Sequence, residues 1–195
     1  MRVTAVGLSV STADRERLVD RVEEASRVTH NTGIAISAAS AVAGAVSAGI
    51  DGATVAEAIR YGTGAAASGA SRGHWVAGAD VARRIAWAVD LVDPRAEDRS
   101  LDDIAELVGT SLASQESIPA AFALLALYSD DPWRGCLAAA SLGGDTDTIA
   151  AMVGAMGGAC QGTSVFPTAA VATVLGANSL GSEFDLVVRD LLALR

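Results

Sequence analysis

The chain has 195 residues, 51% of them hydrophobic but only 4% aromatic, and a formal net charge of -9. That length suits one domain with a core of its own, and the core must be built from Ala, Val, Leu and Ile, which favours closely packed helices over a sheet sandwich. All fourteen basic residues are Arg, which excludes a P-loop lysine and a Schiff-base lysine, and the acidic balance argues against nucleic acid and in favour of a cation as partner.

In chain order, Ser11-x-x-Asp14 resembles a capping box, with Leu18, Val22 and Ala25 following at helical spacing up to Thr29-His30-Asn31. An Ala/Ser-rich helix is expected from Ile34 to Ala48, stopping at Gly49 and Asp51-Gly52. Thr54-x-x-Glu57 caps the next helix, and Gly62, Gly64, Gly69 and Gly73 punctuate a loop-like stretch. Trp75 to Val92 reads as a helix stopped before Pro94, and Ser100-x-x-Asp103 opens a short one ending at Gly109. Ser117-Ile118-Pro119 leads into Ala120–Tyr128, and Asp131-Pro132 is an N-cap with proline at the first helical position. A helix from Asp147 to Ala159 comes next, and Phe184, Val187, Val188, Leu191 and Leu192 form one apolar stripe near the end. No run alternates apolar and polar residues for long, so the fold class is all-α, a single domain over residues 1–195 with roughly eight to ten helices.

Residues 31–50 and 149–182 carry no charge. They are rich in Ala, Gly and Ser rather than Leu and Phe, so buried helices are expected and not membrane spans. Arg15, Glu16 and Arg17 come too early for a signal peptide. Cys136 and Cys160, in apolar surroundings, read as two buried thiols of a reduced cytosol, and a cytoplasmic location is expected.

The densest potential chemistry is Gly143-Gly144-Asp145-Thr146-Asp147-Thr148. Two carboxylates at i and i+2 and a hydroxyl at i+3 stand at the start of an apolar helix, where hard oxygen ligands can converge on a divalent cation. A plain helix cap needs one such residue; here four polar residues crowd the site. An EF-hand is excluded, because with Asp145 as position 1, positions 5, 6 and 12 are Ile149, Ala150 and Met156. Gly154-x-x-x-Gly158-x-x-x-Gly162 reads as a helix-packing seam. Gly69-Ala70-Ser71-Arg72-Gly73 spells a nucleophile elbow but lacks the strand that must precede one. His30 and His74 are the only histidines, and Asp130-Asp131 is accounted for as an N-cap.

Leu142-Gly143-Gly144-Asp145-Thr146-Asp147-Thr148-Ile149-Ala150 resembles the C-terminal signature of the ADP-ribosylglycohydrolases, a family that includes the dinitrogenase reductase-activating glycohydrolase. The resemblance continues through Gly154, Gly158-Ala159 and Gly162. Met1-Arg2-Val3 with Gly7-Leu8, Ser26-Arg27-Val28-Thr29-His30 and Glu116-Ser117-Ile118-Pro119-Ala120-Ala121 resemble further family segments in the same order. It implies an all-α fold, two Mg²⁺ or Mn²⁺ ions, and hydrolysis of the bond between ADP-ribose and a modified side chain or small acceptor. By this resemblance Asp145, Asp147 and Thr148 are metal ligands, with Asp147 shared between the ions. Asp145 and Asp147 serve catalysis, and His30, Gly143 and Gly144 meet the ADP-ribose-containing ligand.

The family also carries an N-terminal region before its Met-Arg stretch, with a Gly-Asp-Ala segment, a catalytic Glu, a Thr-Asp-Asp-Thr motif and an Asn-Gly loop. None of these occurs here; Ser129-Asp130-Asp131 is the nearest approach to the metal motif. Half of the expected ligands and the expected acid are therefore absent, and three explanations stay open: a fragment, a second polypeptide, or a divergent member. A domain without one face of its core should expose apolar surface, so a homo-oligomer or a second chain is the expected partner. Alternatives to the hydrolase are a non-catalytic module binding ADP-ribose, a nucleotide or a partner protein, and a same-fold enzyme acting on a nucleoside-like substrate. The all-Arg basic set and abundant Ala suggest a GC-rich bacterial genome.

Overall fold

The computed structural model describes residues 2–178, 180 and 182–195, the side chain of Ser182 excepted. The helices are α1 (Thr4–Ser9), α2 (Arg15–Ser26), α3 (Gly33–Ile50), α4 (Val55–Gly69), α5 (Val81–Leu91), α6 (Glu97–Asp103), α7 (Ser114–Leu127), α8 (Pro132–Ser141), α9 (Thr146–Gln161), α10 (Thr168–Ala177) and α11 (Ser182–Leu192). Among the described residues there is no strand, only one parallel bridge between Thr32 and His74, so the all-α expectation holds with one helix more than the upper count.

α3 is the axis of the molecule. It is long and apolar enough to cross a membrane by length alone, yet 78% of it is buried within the fold. α1, α2, α4, α5, α7 and α9 all pack against it. The small side chains expected to bring helices together do so here. A Cβ on Gly62 of α4 would lie 2.7 Å from the Ala41 carbonyl oxygen and about as near the Phe122 ring, at 3.0 Å. Phe122 itself is fully buried with Leu18, Ile36, Ile85, Leu124, Leu125 and Ile149.

Several boundaries differ from the sequence reading, each for a physical reason. α4 runs unbroken through Gly62, Gly64 and Gly69, because there glycine serves close approach and not chain reversal; only Gly73, at φ 65°, lies in the loop. α5 begins at Val81, not Trp75, because Asp80 caps it by accepting from the Arg83 N–H at 2.8 Å. α2 is capped by Asp14 alone, since Ser11 turns away to donate to Asp51 at 2.9 Å. α6 starts at Glu97 and widens into a π-helical turn, Ile104–Val108; Ser100 lies inside it, buried, exchanging hydrogen bonds with the Asp93 backbone. α7 starts at Ser114 and contains Pro119. Proline there leaves the Gln115 carbonyl without its helical donor, and the Arg84 Nε–H takes that place.

The C-terminal helices form a different kind of surface. α10 has no buried residue, and in α11 Phe184, Val187 and Leu192 of the expected stripe are exposed, while Val188 and Leu191 are half-buried. α11 leans on α1. Arg195 anchors this end by donating to the carbonyl oxygens of Gly7, Leu8 and Ser47 and to the Asp51 carboxylate at 2.6 Å.

Candidate functional site

A cavity of about 350 Å³ opens beside the N-terminal half of α3. One wall is α3 itself, through Ala35, Ala38, Ala39 and Val42. Thr29 and His30, in the turn after α2, form a second side, and Asp145, Thr148 and Met152 at the start of α9 form a third. Leu112, Ser114, Ser117 and Ile118 complete it with Arg2 and Val3. His30 and Asp145, far apart in sequence, thus face one space.

The local chain explains these placements. The His30 N–H donates to the Ser26 carbonyl oxygen at 2.7 Å, folding the chain back after α2, and its ring Nδ1 pairs with Thr29 Oγ1 at 2.8 Å. At the other side the chain reverses between α8 and α9 through Gly143 and Gly144, at φ 83° and 73°. These left-handed values are readily available only to glycine. Neither glycine lines the cavity; they make the turn that delivers Asp145 to it.

Asp145 sits at the N-cap position of α9 yet its carboxylate makes no capping hydrogen bond. The oxygens that would ordinarily satisfy a helix end are thus left to the cavity. Thr148 stands one turn further on and lines it too. Asp147 is exposed and lies outside the lining. Among the described residues no three His, Cys, Asp or Glu side chains gather closely enough to hold a metal ion. The chemistry of Asp145, Asp147 and Thr148 fits a hard divalent cation, which binds through one or two carboxylates while keeping several waters; their number falls short of a closed cage.

A support network fixes this corner. The Arg84 guanidinium donates to the Val108 carbonyl at 2.8 Å and to Gln115, holding both ends of the loop between the π-turn and α7. Glu116 accepts from the Ser111 N–H at 3.1 Å, and hydrogen bonds from the Ser111 hydroxyl and backbone hold its carboxyl below the usual glutamate range. Thr110, in that loop, accepts the Asp145 N–H. The role of Arg84 has no signal in local pattern, since it acts across the fold on Val108 and Gln115, whereas Glu116, inside a quoted family segment, acts on Ser111 only five residues away. Arg2, Ser114 and Ser117 left a trace only in the quoted family segments or beside them.

The other motifs find structural places. Asp131 caps α8, accepting from the Arg134 N–H at 3.0 Å. Gly154 packs near Cys136 and Gly158 near Phe166, as a packing seam requires, but Gly162 has nothing within 4 Å and instead ends α9 in a left-handed conformation at φ 80°. Ser71 follows a helix, not a strand. His74 is exposed, and its backbone pairs with Asn31 and Gly33 at 2.9 Å each. Cys136 and Cys160 are free and half-buried; burial raises both thiols, Cys160 to about 11, so neither is a poised thiolate.

Two comparisons with known proteins bear on this geometry. All residues 1–195 match the family described as ADP-ribosylglycohydrolase. The chain is also similar to an Escherichia coli K12 protein described as "Uncharacterized protein YegU", with 31% identity over 181 residues, covering 92% of this chain and 54% of that protein. The chain therefore spans about half the length of this relative.

Proposed function

The chain belongs to the ADP-ribosylglycohydrolase family, and on that premise we propose that it is the C-terminal portion or subunit of a metal-dependent hydrolase that cleaves the glycosidic bond of ADP-ribosylated substrates. The observation that carries this reading is the convergence of His30, Asp145 and Thr148 on one cavity. Asp145, Asp147 and Thr148 would hold Mg²⁺ or Mn²⁺. A bound cation of this kind orients ribose hydroxyls and lowers the pKa of a coordinated water. His30 approaches the ribose, and the Arg2 guanidinium offers a counter-charge for the ligand's phosphates in a chain that is otherwise acidic. Water adds through its oxygen to the anomeric carbon as that carbon's bond to the acceptor breaks; the acceptor leaves with a proton from the donor, and the proton that the water loses replaces it, so that hydrolysis consumes one water. The proton donor and the second cation's remaining ligands come from a further polypeptide segment, whether a second chain or a longer product.

A second reading rests on one specific observation: Asp145 is the only carboxylate lining the cavity among the described residues. On that reading the chain is a module that binds ADP-ribose without turning it over. Titration calorimetry with Mg²⁺ and Mn²⁺, with and without ADP-ribose, separates the two from a misassigned site. Cation binding lost in Asp145→Ala and Asp147→Ala supports the metal site. Hydrolysis by the complete assembly supports the enzyme, and ADP-ribose binding without hydrolysis supports the module. Cation and ADP-ribose affinities unchanged in the double variant would sink both.

A further inference from the structure

The guanidinium of Arg195 sits in a socket to which α10 and α11 contribute no acceptor. Its Nη1 group donates to the carbonyl oxygens of Gly7 and Leu8 at 2.8 and 2.9 Å. Its Nη2 group donates to the Ser47 carbonyl oxygen at 3.1 Å, to Ser47 Oγ at 3.4 Å and to Asp51 Oδ1 at 2.6 Å. Gly7 and Leu8 lie at the end of α1, Ser47 lies in the last turn of α3, and Asp51 is the C-cap of α3. Carbonyls at a helix C-terminus lack intrahelical donors, and the dipole of an 18-residue helix adds negative potential there.

The socket is braced from behind. The second Asp51 oxygen, Oδ2, accepts from the Thr12 N–H and the Thr12 hydroxyl at 2.7 Å each and from the Ser11 hydroxyl at 2.9 Å. The Ser47 hydroxyl donates to the Val10 carbonyl oxygen. None of these bonds involves Arg195, so the acceptors are in place before it arrives. A planar fork of donors meets carbonyls on one side and a carboxylate on the other, which suits a guanidinium. An ammonium, with its donors on one compact centre, cannot span both.

The segment that carries the plug is otherwise loosely attached. No described side chain of α10 or α11 is buried, and an 11-residue helix such as α11 is too short to persist alone in water. The Arg195 side chain, by contrast, is only 14% exposed. We propose that the C-terminal ends of α1 and α3 form a guanidinium-binding site, that Arg195 is its tethered ligand, and that occupancy of the site decides whether α11 lies on the body or swings free as a strap. The site is independent of the hydrolase reading: none of its residues lines the cavity, which opens beside the other end of α3.

The variant Arg195→Ala of the 195-residue chain empties the site. Amide exchange and chemical shifts read by NMR test it, with methylguanidinium and methylammonium as probes at concentrations far below denaturing ones. Exchange in α11 should accelerate about tenfold or more, the scale of losing hydrogen bonds to a charged group, while α3 and α9 keep their protection. Methylguanidinium should then bind the variant saturably, shifting Leu8, Ser47 and Asp51 without restoring α11, because the probe carries no tether. Methylammonium should not bind. Adding Asp51→Asn should weaken methylguanidinium binding about tenfold or more. Arg195→Lys keeps the charge, yet should leave α11 exchanging faster than in the wild type. Unchanged α11 exchange in Arg195→Ala, or full protection in Arg195→Lys, overturns the strap. Absence of saturable methylguanidinium binding, equal binding of both cations, or an affinity indifferent to Asp51→Asn overturns the site.

Discussion

The backbone N–H of Asp145 donates to the carbonyl oxygen of Thr110 at 2.7 Å, so the loop before α7 holds the residue that opens α9. The tie works only because the residue before Asp145 has no side chain. A Cβ on Gly144 would overlap that same carbonyl oxygen.

Gly144→Ala should therefore be costly and Gly143→Ala mild. Both positions are left-handed, which costs a non-glycine residue about 1–2 kcal/mol. Only Gly144 adds a clash, for Gly143 has open space around it. Chemical denaturation should show a loss of about 1 kcal/mol for Gly143→Ala and at least about twice that for Gly144→Ala. Equal losses would mean that the Thr110 contact does not constrain the turn.

Arg84 and Pro119 should be coupled. Arg84→Ala strands the Gln115 carbonyl, whose helical donor Pro119 has removed, and also frees Val108. An unpaired buried acceptor costs about 1–3 kcal/mol. Pro119→Ala restores an N–H one turn from Gln115, so in a double-mutant cycle the Arg84→Ala loss should shrink by about 1 kcal/mol when Pro119→Ala is already present. Strict additivity would show that the Arg84 bond to Gln115 carries no weight.

Glu116→Ala should loosen the loop that holds Asp145 without touching the cavity's own ligands. Amide exchange at Ser111 and Asp145 should accelerate together, since the Ser111 N–H loses its acceptor and the neighbouring Thr110, whose carbonyl oxygen accepts from Asp145, is no longer held in place. Acceleration at Ser111 alone would uncouple Glu116 from the site.

Asp51 should make stability fall in acid. Burial pushes its carboxyl up, but the Thr12 N–H, Arg195 and the hydroxyls of Thr12 and Ser11 outweigh it and hold the carboxyl at about 2, against 3.8 when unperturbed. A depressed folded-state value means that the stabilisation is fully present above the unfolded value and is lost as pH falls from about 4 through about 2. Because the residue is partly open to water, about 1 kcal/mol is the reasonable size. Denaturation of the wild type and Asp51→Asn between about pH 2 and 7 should show the two curves converging in acid. A constant gap would assign the effect to packing.

Much of the fold was legible locally. The Thr54 and Glu57 capping box and the Asp131-Pro132 start of α8 each depend on residues within one helical turn and appear as read, while α9 begins one residue before the expected Asp147 and ends two beyond Ala159. The glycines of α4 differ from the loop-like expectation because Gly in a helix and Gly in a loop look alike until the neighbouring helix is known. The helix expected from Trp75 starts only at Val81: the chain from 75 to 80 is not helical and Trp75 is 86% exposed.

What the sequence by itself determined is the helical class, the capped helix starts and the concentration of oxygen donors at Asp145–Thr148, because each is a property of adjacent residues. Only the tertiary structure decided that His30 and Asp145 share a cavity, that Gly143 and Gly144 make the turn beside its lining, and that Asp147 stays outside it. It also decided that the α11 stripe largely faces solvent. These depend on how helices distant in sequence cross α3, and side-chain packing at those crossings has no local signature.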